Sequence, residues 1–252
     1  MRILIANDDG YLAPGLAALV RACEGLGDIK VIAPEQNASG TSNSLSLHRP
    51  LSVHRAYNGF YVVNGTPSDC VHLALTAPLF EGWRPQLVLS GINNGANLGD
   101  DTIYSGTVAA ATEAYLFDIP AVAFSQADRD WHELDAAGLT VRSLLDELLA
   151  QPLGPAFLLN VNIPNRPDAP SLPRVLTRLG RRHANAASFA QRNPRGDLVY
   201  WIGPPGEARL EDEGTDFQAV AQGKVSITPL QVDLTHHAAL PEWTRRLQRG
   251  GA

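Results

Sequence analysis

Two adjacent carboxylates, Asp8 and Asp9, follow the apolar run Ile3-Leu4-Ile5-Ala6 and precede Gly10. Like charges side by side repel, so the pair calls for full solvation or for a cation. Three other stretches carry chemistry that could meet it. Glu35-Gln36-Asn37-Ala38-Ser39-Gly40-Thr41-Ser42-Asn43-Ser44 is rich in hydroxyls and amides, a composition that also suits a flexible surface connection. The stretch from Ser90 to Asp101 offers amide oxygens from Asn93, Asn94 and Asn97, with glycines that permit close backbone approach. Ser105-Gly106-Thr107 opens a run of small residues. A helix start of this type is either an ordinary cap or a set of backbone amides and hydroxyls for an anion.

The combined set holds carboxylate, hydroxyl and amide oxygens, with no thiolate and no nearby histidine. Such a set favours a hard cation, Mg²⁺ or Mn²⁺, over zinc. A metal beside a phosphate cradle points to metal-assisted hydrolysis of a phosphate ester. The first turn has no Gly-x-Gly-x-x-Gly, which counts against a dinucleotide site.

The elements that must position these groups follow from hydrophobic period. Ile3-Leu4-Ile5-Ala6 reads as a strand buried on both faces, then Pro14 and Leu16, Leu19, Val20 and Cys23 as a helix. Ile29-Lys30-Val31-Ile32-Ala33 completes a βαβ unit. Asn58-Gly59 between two apolar runs signals a hairpin. Thr66-Pro67-Ser68-Asp69 reads as a helix start with Asp69 as a capping residue. Strands at 86–90, 120–125 and 157–162 alternate with helices from 107 and over 134–149. The alternation predicts an α/β, Rossmann-like, doubly wound and mostly parallel sheet. It ends near Pro164, which divides a catalytic core (1–164) from a C-terminal extension (165–252) of β-hairpins and a terminal helix, read as an oligomerisation element. In that extension short strands are expected to follow one another without an intervening helix.

The 252 residues carry a formal net charge of −6, which argues against a surface for nucleic-acid polymers. No apolar stretch reaches the length of a membrane span. Met1-Arg2 leads directly into the first strand, so a cytoplasmic location is expected. Cys23 and Cys70 read as reduced core residues. The basic cluster Arg178, Arg181 and Arg182 reads first as a solvated face, with a phosphate or polyphosphate contact as the minority reading, and His236 and His237 read as surface or interface residues.

Several of these motifs, in order, resemble the SurE survival-protein family. They are Asn7-Asp8-Asp9-Gly10, Ala33-Pro34-Glu35-Gln36-Asn37-Ala38-Ser39-Gly40 and Ser90-Gly91-Ile92-Asn93-Asn94-Gly95-Ala96-Asn97-Leu98-Gly99-Asp100-Asp101. Ile103-Tyr104-Ser105-Gly106-Thr107-Val108, Tyr200-Trp201-Ile202-Gly203-Pro204-Pro205, Gly214-Thr215-Asp216-Phe217 and Ser226-Ile227-Thr228-Pro229-Leu230 complete the set. The resemblance covers residues 1 to about 235. It implies a metal-dependent nucleotidase that removes phosphate from nucleoside 5′- and 3′-monophosphates, with some activity on short polyphosphate. It also implies one divalent ion, Mg²⁺ or Mn²⁺, per subunit, held by Asp8, Asp9, Ser39 and Asn93. Asn97, Ser105, Gly106 and Thr107 would surround the phosphate, Asp8 would act as base or orient water, and Asp9 would chiefly ligate. C-terminal extensions would be exchanged between subunits of a homodimer or homotetramer. Asn94 receives no role.

Two rival classes stand beside this reading. A signalling receiver would need a carboxylate at the end of the third parallel strand, where Ser90-Gly91-Ile92-Asn93 stands. The other rival is an assembly protein that binds Mg²⁺ without catalysis.

Overall fold

Alternation along the strands decides the layering. The computed structural model describes residues 1–183, 187–203 and 205–248; Pro204 and the end of the extension, 249–252, lie outside the described residues. In β1 (Arg2–Ala6), Ile3 and Ile5 join one apolar cluster while Leu4 and Ala6 join the other. Opposite faces of a strand receive successive side chains, so a run buried on both sides must be apolar throughout. α1 (Pro14–Ala22) covers the first face and β2 (Asp28–Pro34) returns parallel to β1. The Asn58-Gly59 turn joins β3 (Val53–Arg55) to β4 (Tyr61–Val63) as an antiparallel hairpin, and β4 pairs with β2.

α2 (Pro67–Thr76) begins with a reciprocal capping box between Thr66 and Asp69, as the sequence leads one to expect. β5 (Leu87–Asn94) pairs with β1 on the side away from β2. α3 (Gly106–Leu116), β6 (Ala121–Gln126), α4 (Leu134–Leu149) and β7 (Leu158–Ile163) continue the alternation. α1 and α4 cover one face through Leu16, Leu19, Val141 and Leu145; α2 and α3 cover the other through Cys70, Val71, Ala110 and Ala111. This is the doubly wound, Rossmann-like arrangement expected. Cys23 and Cys70 lie in opposite clusters as free thiols, and burial pushes the Cys23 thiol up to about 12.

Beyond residue 164 the path departs from a simple string of hairpins. β8 (Arg174–Leu176) and β11 (Val225–Leu230) add to the main sheet, β11 antiparallel to β7 and parallel to β8. The sheet order is β3-β4-β2-β1-β5-β6-β7-β11-β8. β9 (Phe189–Arg192) and β10 (Leu198–Trp201) form a separate antiparallel pair with Phe189, Tyr200 and Trp201 exposed. Contrary to the expectation of strands alone, α5 (Asp216–Ala221) stands between β10 and β11, capped by Thr215. Its six residues are too few for a periodic signal, and Thr215-Asp216 was the readable start. α6 (Leu240–Gln248) ends the described chain.

Candidate active site

The strand order reverses at β1: the chain moves to β2 on one side and later to β5 on the other. In open α/β sheets a crevice forms at such a point, outside the carboxyl ends of the strands. Asp8 and Asp9 follow β1 there, and Asn93 is the last residue but one of β5. The Asp8–Gly10 turn is fixed by Asn7 Nδ2, which donates to the Gly10 carbonyl at 2.9 Å. Gly10 has φ +101°, and a Cβ there would sit 3.3 Å from the Gln36 carbonyl carbon. The loop after β2 is drawn in by two contacts: Ala38 N–H donates to the Asp8 carbonyl at 2.8 Å, and Ser42 Oγ donates to the Ile103 carbonyl at 2.6 Å. Those contacts place Ser39 opposite the amino end of α3.

A cleft of about 380 Å³ results, with Asp8, Ser39, Asn93, Asn97 and Ser105 among its walls. A larger recess, about 630 Å³, lies at the other end of the sheet between Met1, Gln86, Pro120 and residues 149–154. Acidic, basic and nucleophilic side chains are missing from its walls, so the smaller cleft is the candidate site.

Of the eight residues singled out from sequence, three do not line the cleft. Asp9 lies beside it, half-buried, accepting from Asn37 Nδ2 at 3.4 Å and from Asn94 N–H at 3.3 Å. Gly106 and Thr107 lie beneath Asp8. The Thr107 hydroxyl donates to Asp8 Oδ1, and a Cβ on Gly106 would come 2.8 Å from the Asp8 Cβ. Residue 106 must therefore lack a side chain for Asp8 to occupy this position. Ser105 Oγ accepts from Val108 N–H at 3.0 Å and so caps α3.

Burial raises the Asp8 carboxyl above its usual range, against the lowering effect of Thr107 and nearby main-chain amides. Burial and the neighbouring Asp8 charge push Asp9 up to about 6, with only Asn94 N–H opposing. Asp8 and the half-buried Asp9 are thus adjacent acids, and among the described residues no cation offsets the rise in either. Asn93 Nδ2 is engaged with the Gly95 carbonyl at 2.8 Å, while its Oδ1 accepts no hydrogen bond among the described residues. Among those residues no three His, Cys, Asp or Glu side chains group to hold a metal. A divalent ion here would need the mixed oxygens of Asp8, Asp9, Ser39 and Asn93, and the excess charge suits a hard cation.

Structure adds Ser125, Arg129, Asn160 and Asn162 to the groups singled out from sequence. Asn97 is fixed by a buried amide network. Its N–H donates to Asn162 Oδ1 at 2.8 Å, its Nδ2 to Ser125 Oγ at 2.7 Å, and its carbonyl accepts from Asn160 Nδ2 at 2.7 Å. The signal was present: two amides at i and i+2 on an otherwise apolar strand share one face. Arg182, read as part of a solvated face, instead lines the cleft and grips Asp101 through Nε at 3.0 Å and Nη2 at 2.5 Å. Arg129 also lines it.

Sequence comparison decides the relationship. The profile described as "Survival protein SurE" matches residues 3–186. The chain belongs to the SurE family. A relative called 5′-nucleotidase SurE, from Polaromonas naphthalenivorans (strain CJ2), is 54% identical over 258 residues, covering 99% of this chain and 98% of that one. Another of the same name, from Variovorax paradoxus (strain S110), is 54% identical with both chains covered in full. The crystal structure of the SurE protein from Aquifex aeolicus has TM-score 0.82 at 39% identity, covering 96% of this chain and 98% of that one. The SurE match takes in every acid, amide and arginine of the cleft named above. It disfavours a receiver domain, as does β5, which ends in amides; the next carboxylate, Asp100, accepts from the Arg182 N–H at 3.0 Å.

Proposed function

We propose that this chain is a metal-dependent nucleotidase that hydrolyses nucleoside 5′-monophosphates to nucleoside and phosphate. The carrying observation is a cleft that Asp8 lines together with Ser39, Asn93 and Ser105 at the amino end of α3, with a second acid, Asp9, directly beside it. The names of the SurE relatives support the same reading.

In this reading Asp8, Asp9, Ser39 Oγ and Asn93 Oδ1 hold one Mg²⁺ or Mn²⁺ per subunit. When bound, the ion neutralises phosphoryl charge and lowers the pKa of a water. The chain's own groups do the rest. Asn97 and the Ser105 hydroxyl contact the phosphoryl oxygens near the amino end of α3, where the helix dipole favours negative charge. The Thr107 hydroxyl donates to Asp8 Oδ1 and fixes the carboxylate that would orient the attacking water and take its proton. Gly106 lets Asp8 approach the helix. The amide network behind Asn97 prevents its loop from adjusting to other geometries, which favours the in-line arrangement phosphoryl transfer requires.

The finer reading extends to 3′-monophosphates and short polyphosphate, to a cytoplasmic location, and to a homodimer or homotetramer with exchanged C-terminal extensions. No helix among the described residues is long and apolar enough to cross a membrane.

The direct test is phosphate release from a nucleoside 5′-monophosphate with Mn²⁺ or Mg²⁺, before and after chelation. Release that stops with the chelator and returns with the ion is expected. No release with either cation would overturn the proposal.

A further inference from the structure

The 127–133 loop, between β6 and α4, overhangs the cleft and has no part in the mechanism above. Asp128, Asp130 and Trp131 have φ of +69°, +84° and +44°. Non-glycine residues persist in this region only where their surroundings impose it, and such positions concentrate at ligand clamps. Four anchors impose it here. Ala127 N–H donates to the Ile163 carbonyl at 2.7 Å, Asp130 N–H to Asn94 Oδ1 at 2.8 Å, and Glu133 N–H to Asn165 Oδ1 at 3.1 Å. Trp131 packs into the core against Gly15.

The anchored loop turns Asp128 and Arg129 toward the cleft. The two arginines there differ in kind. Arg182 is engaged by Asp101 and the Gly206 carbonyl. Arg129 is exposed and makes no ion pair or hydrogen bond among the described residues. Its stem lies over Gly95, the Cγ 3.9 Å from where a Cβ would stand. Asn94 links the two sides: its N–H donates to Asp9 Oδ2, and its side chain holds the loop.

We infer that Arg129 is a substrate-binding residue that contacts the anionic phosphate of the nucleotide from the open side of the cleft, and that Asn94 is the positioning residue that holds it there. The inference rests on the nucleotidase reading above. A planar guanidinium presents paired donors that match phosphate oxygens, which an ammonium does not. Because Arg129 is exposed and sits on a separate loop from Asp8, its contribution falls on binding more than on the reacting step.

Steady-state kinetics of Arg129→Gln, Arg129→Lys and Asn94→Ala, with Mn²⁺ saturating, test this. Arg129→Gln raises KM about tenfold with a smaller change in kcat, and raises the inhibition constant of inorganic phosphate by a similar factor. Arg129→Lys falls between, as a point charge without the fork. Asn94→Ala keeps its backbone N–H to Asp9 and raises KM about threefold in the wild-type background. In the Arg129→Gln background it adds nothing further, because the two act through one contact. Unchanged melting temperatures for the Arg129 variants confirm an intact fold, and these exposed-site variants suffice if Asn94→Ala does not fold. An active wild type with KM and phosphate inhibition in Arg129→Gln within twofold of its own would overturn this inference alone. A wild type that releases no phosphate would overturn the nucleotidase reading and this inference with it.

Discussion

Asp8 and Asp216 are both fully buried carboxylates beside the amino end of a helix, and burial raises both above the usual range. Their surroundings differ in what is left over. Asp216 accepts three main-chain N–H groups, from Gly99 at 2.7 Å, Gly180 at 2.8 Å and Phe217 at 2.9 Å. It ties the loop after β5 and the segment after β8 to the start of α5. Asp8 is held on one side by Thr107 and the α3 amides, opens into the cleft on the other, and has a second carboxylate next to it. Burial of an acid therefore does not mark function by itself. Charge that the fold leaves unbalanced at an open cavity does.

The largest effect that would separate the two acids is in turnover. Asp8→Asn is expected to lower metal-dependent phosphate release by roughly 10²–10⁴-fold, the range for losing a positioned base. The melting temperature of the metal-free protein should not fall, since a buried charge is removed without breaking the fold. Asp216→Asn should do the reverse. An amide can satisfy fewer of the three donors, at a cost of about 2 kcal/mol, which lowers Tm by roughly 4–8 °C in a chain of this size. Turnover per folded molecule should stay within a fewfold. A variant at Asp216 that is inactive yet melts normally would break the comparison. Thr107→Val gives a smaller, sharper effect. It removes the hydroxyl that lowers the Asp8 pKa, so kcat drops about tenfold and the acid limb of the pH–rate profile moves to higher pH. An unmoved acid limb would show that Thr107 does not tune Asp8.

The same contrast explains how much could be read before coordinates. The sheet was legible because strands buried on both faces must be apolar throughout, and because Pro14, Asn58-Gly59 and Thr66-Pro67-Ser68-Asp69 carry local signals that do not depend on tertiary context. The acids and amides at the strand ends were legible as a donor set, because adjacency of Asp8 and Asp9 is itself a charge problem. What stayed hidden depended on pairs far apart in the chain. Arg182 reads as a solvated charge until Asp101 is seen to grip it. Thr107 reads as a phosphate donor until its hydroxyl is found on Asp8. The short α5 is held by Asp216 and the loops it binds more than by helical period. In each case the deciding partner is dozens of residues away, where spacing carries no information.

Asp9 offers the smallest predicted effect and the most specific one. Its carboxyl is pushed up to about 6 in the folded, metal-free protein, against an ordinary value of 3.8. Between about pH 4 and pH 6 the folded chain then binds more protons than the unfolded chain, so the stability this group contributes is present at low pH and lost as pH rises through 6. Asp9→Asn removes that dependence. With chelator present, the variant should melt at the same temperature as the wild type near pH 4. It should melt higher above pH 6, by roughly 2–8 °C for ~1–2 kcal/mol after allowance for its partial exposure. If Asp9 ligates the ion as proposed, saturating Mn²⁺ should invert the order at pH 7.5, because the ion stabilises only a protein that binds it. Calorimetric scans from pH 4 to 8, with chelator and with Mn²⁺, read both halves. Parallel curves for the two proteins in chelator would mean that the charge of Asp9 is already balanced in the fold. Asp9 would then belong with Asp216, and Asp8 alone of the adjacent pair would call for a cation.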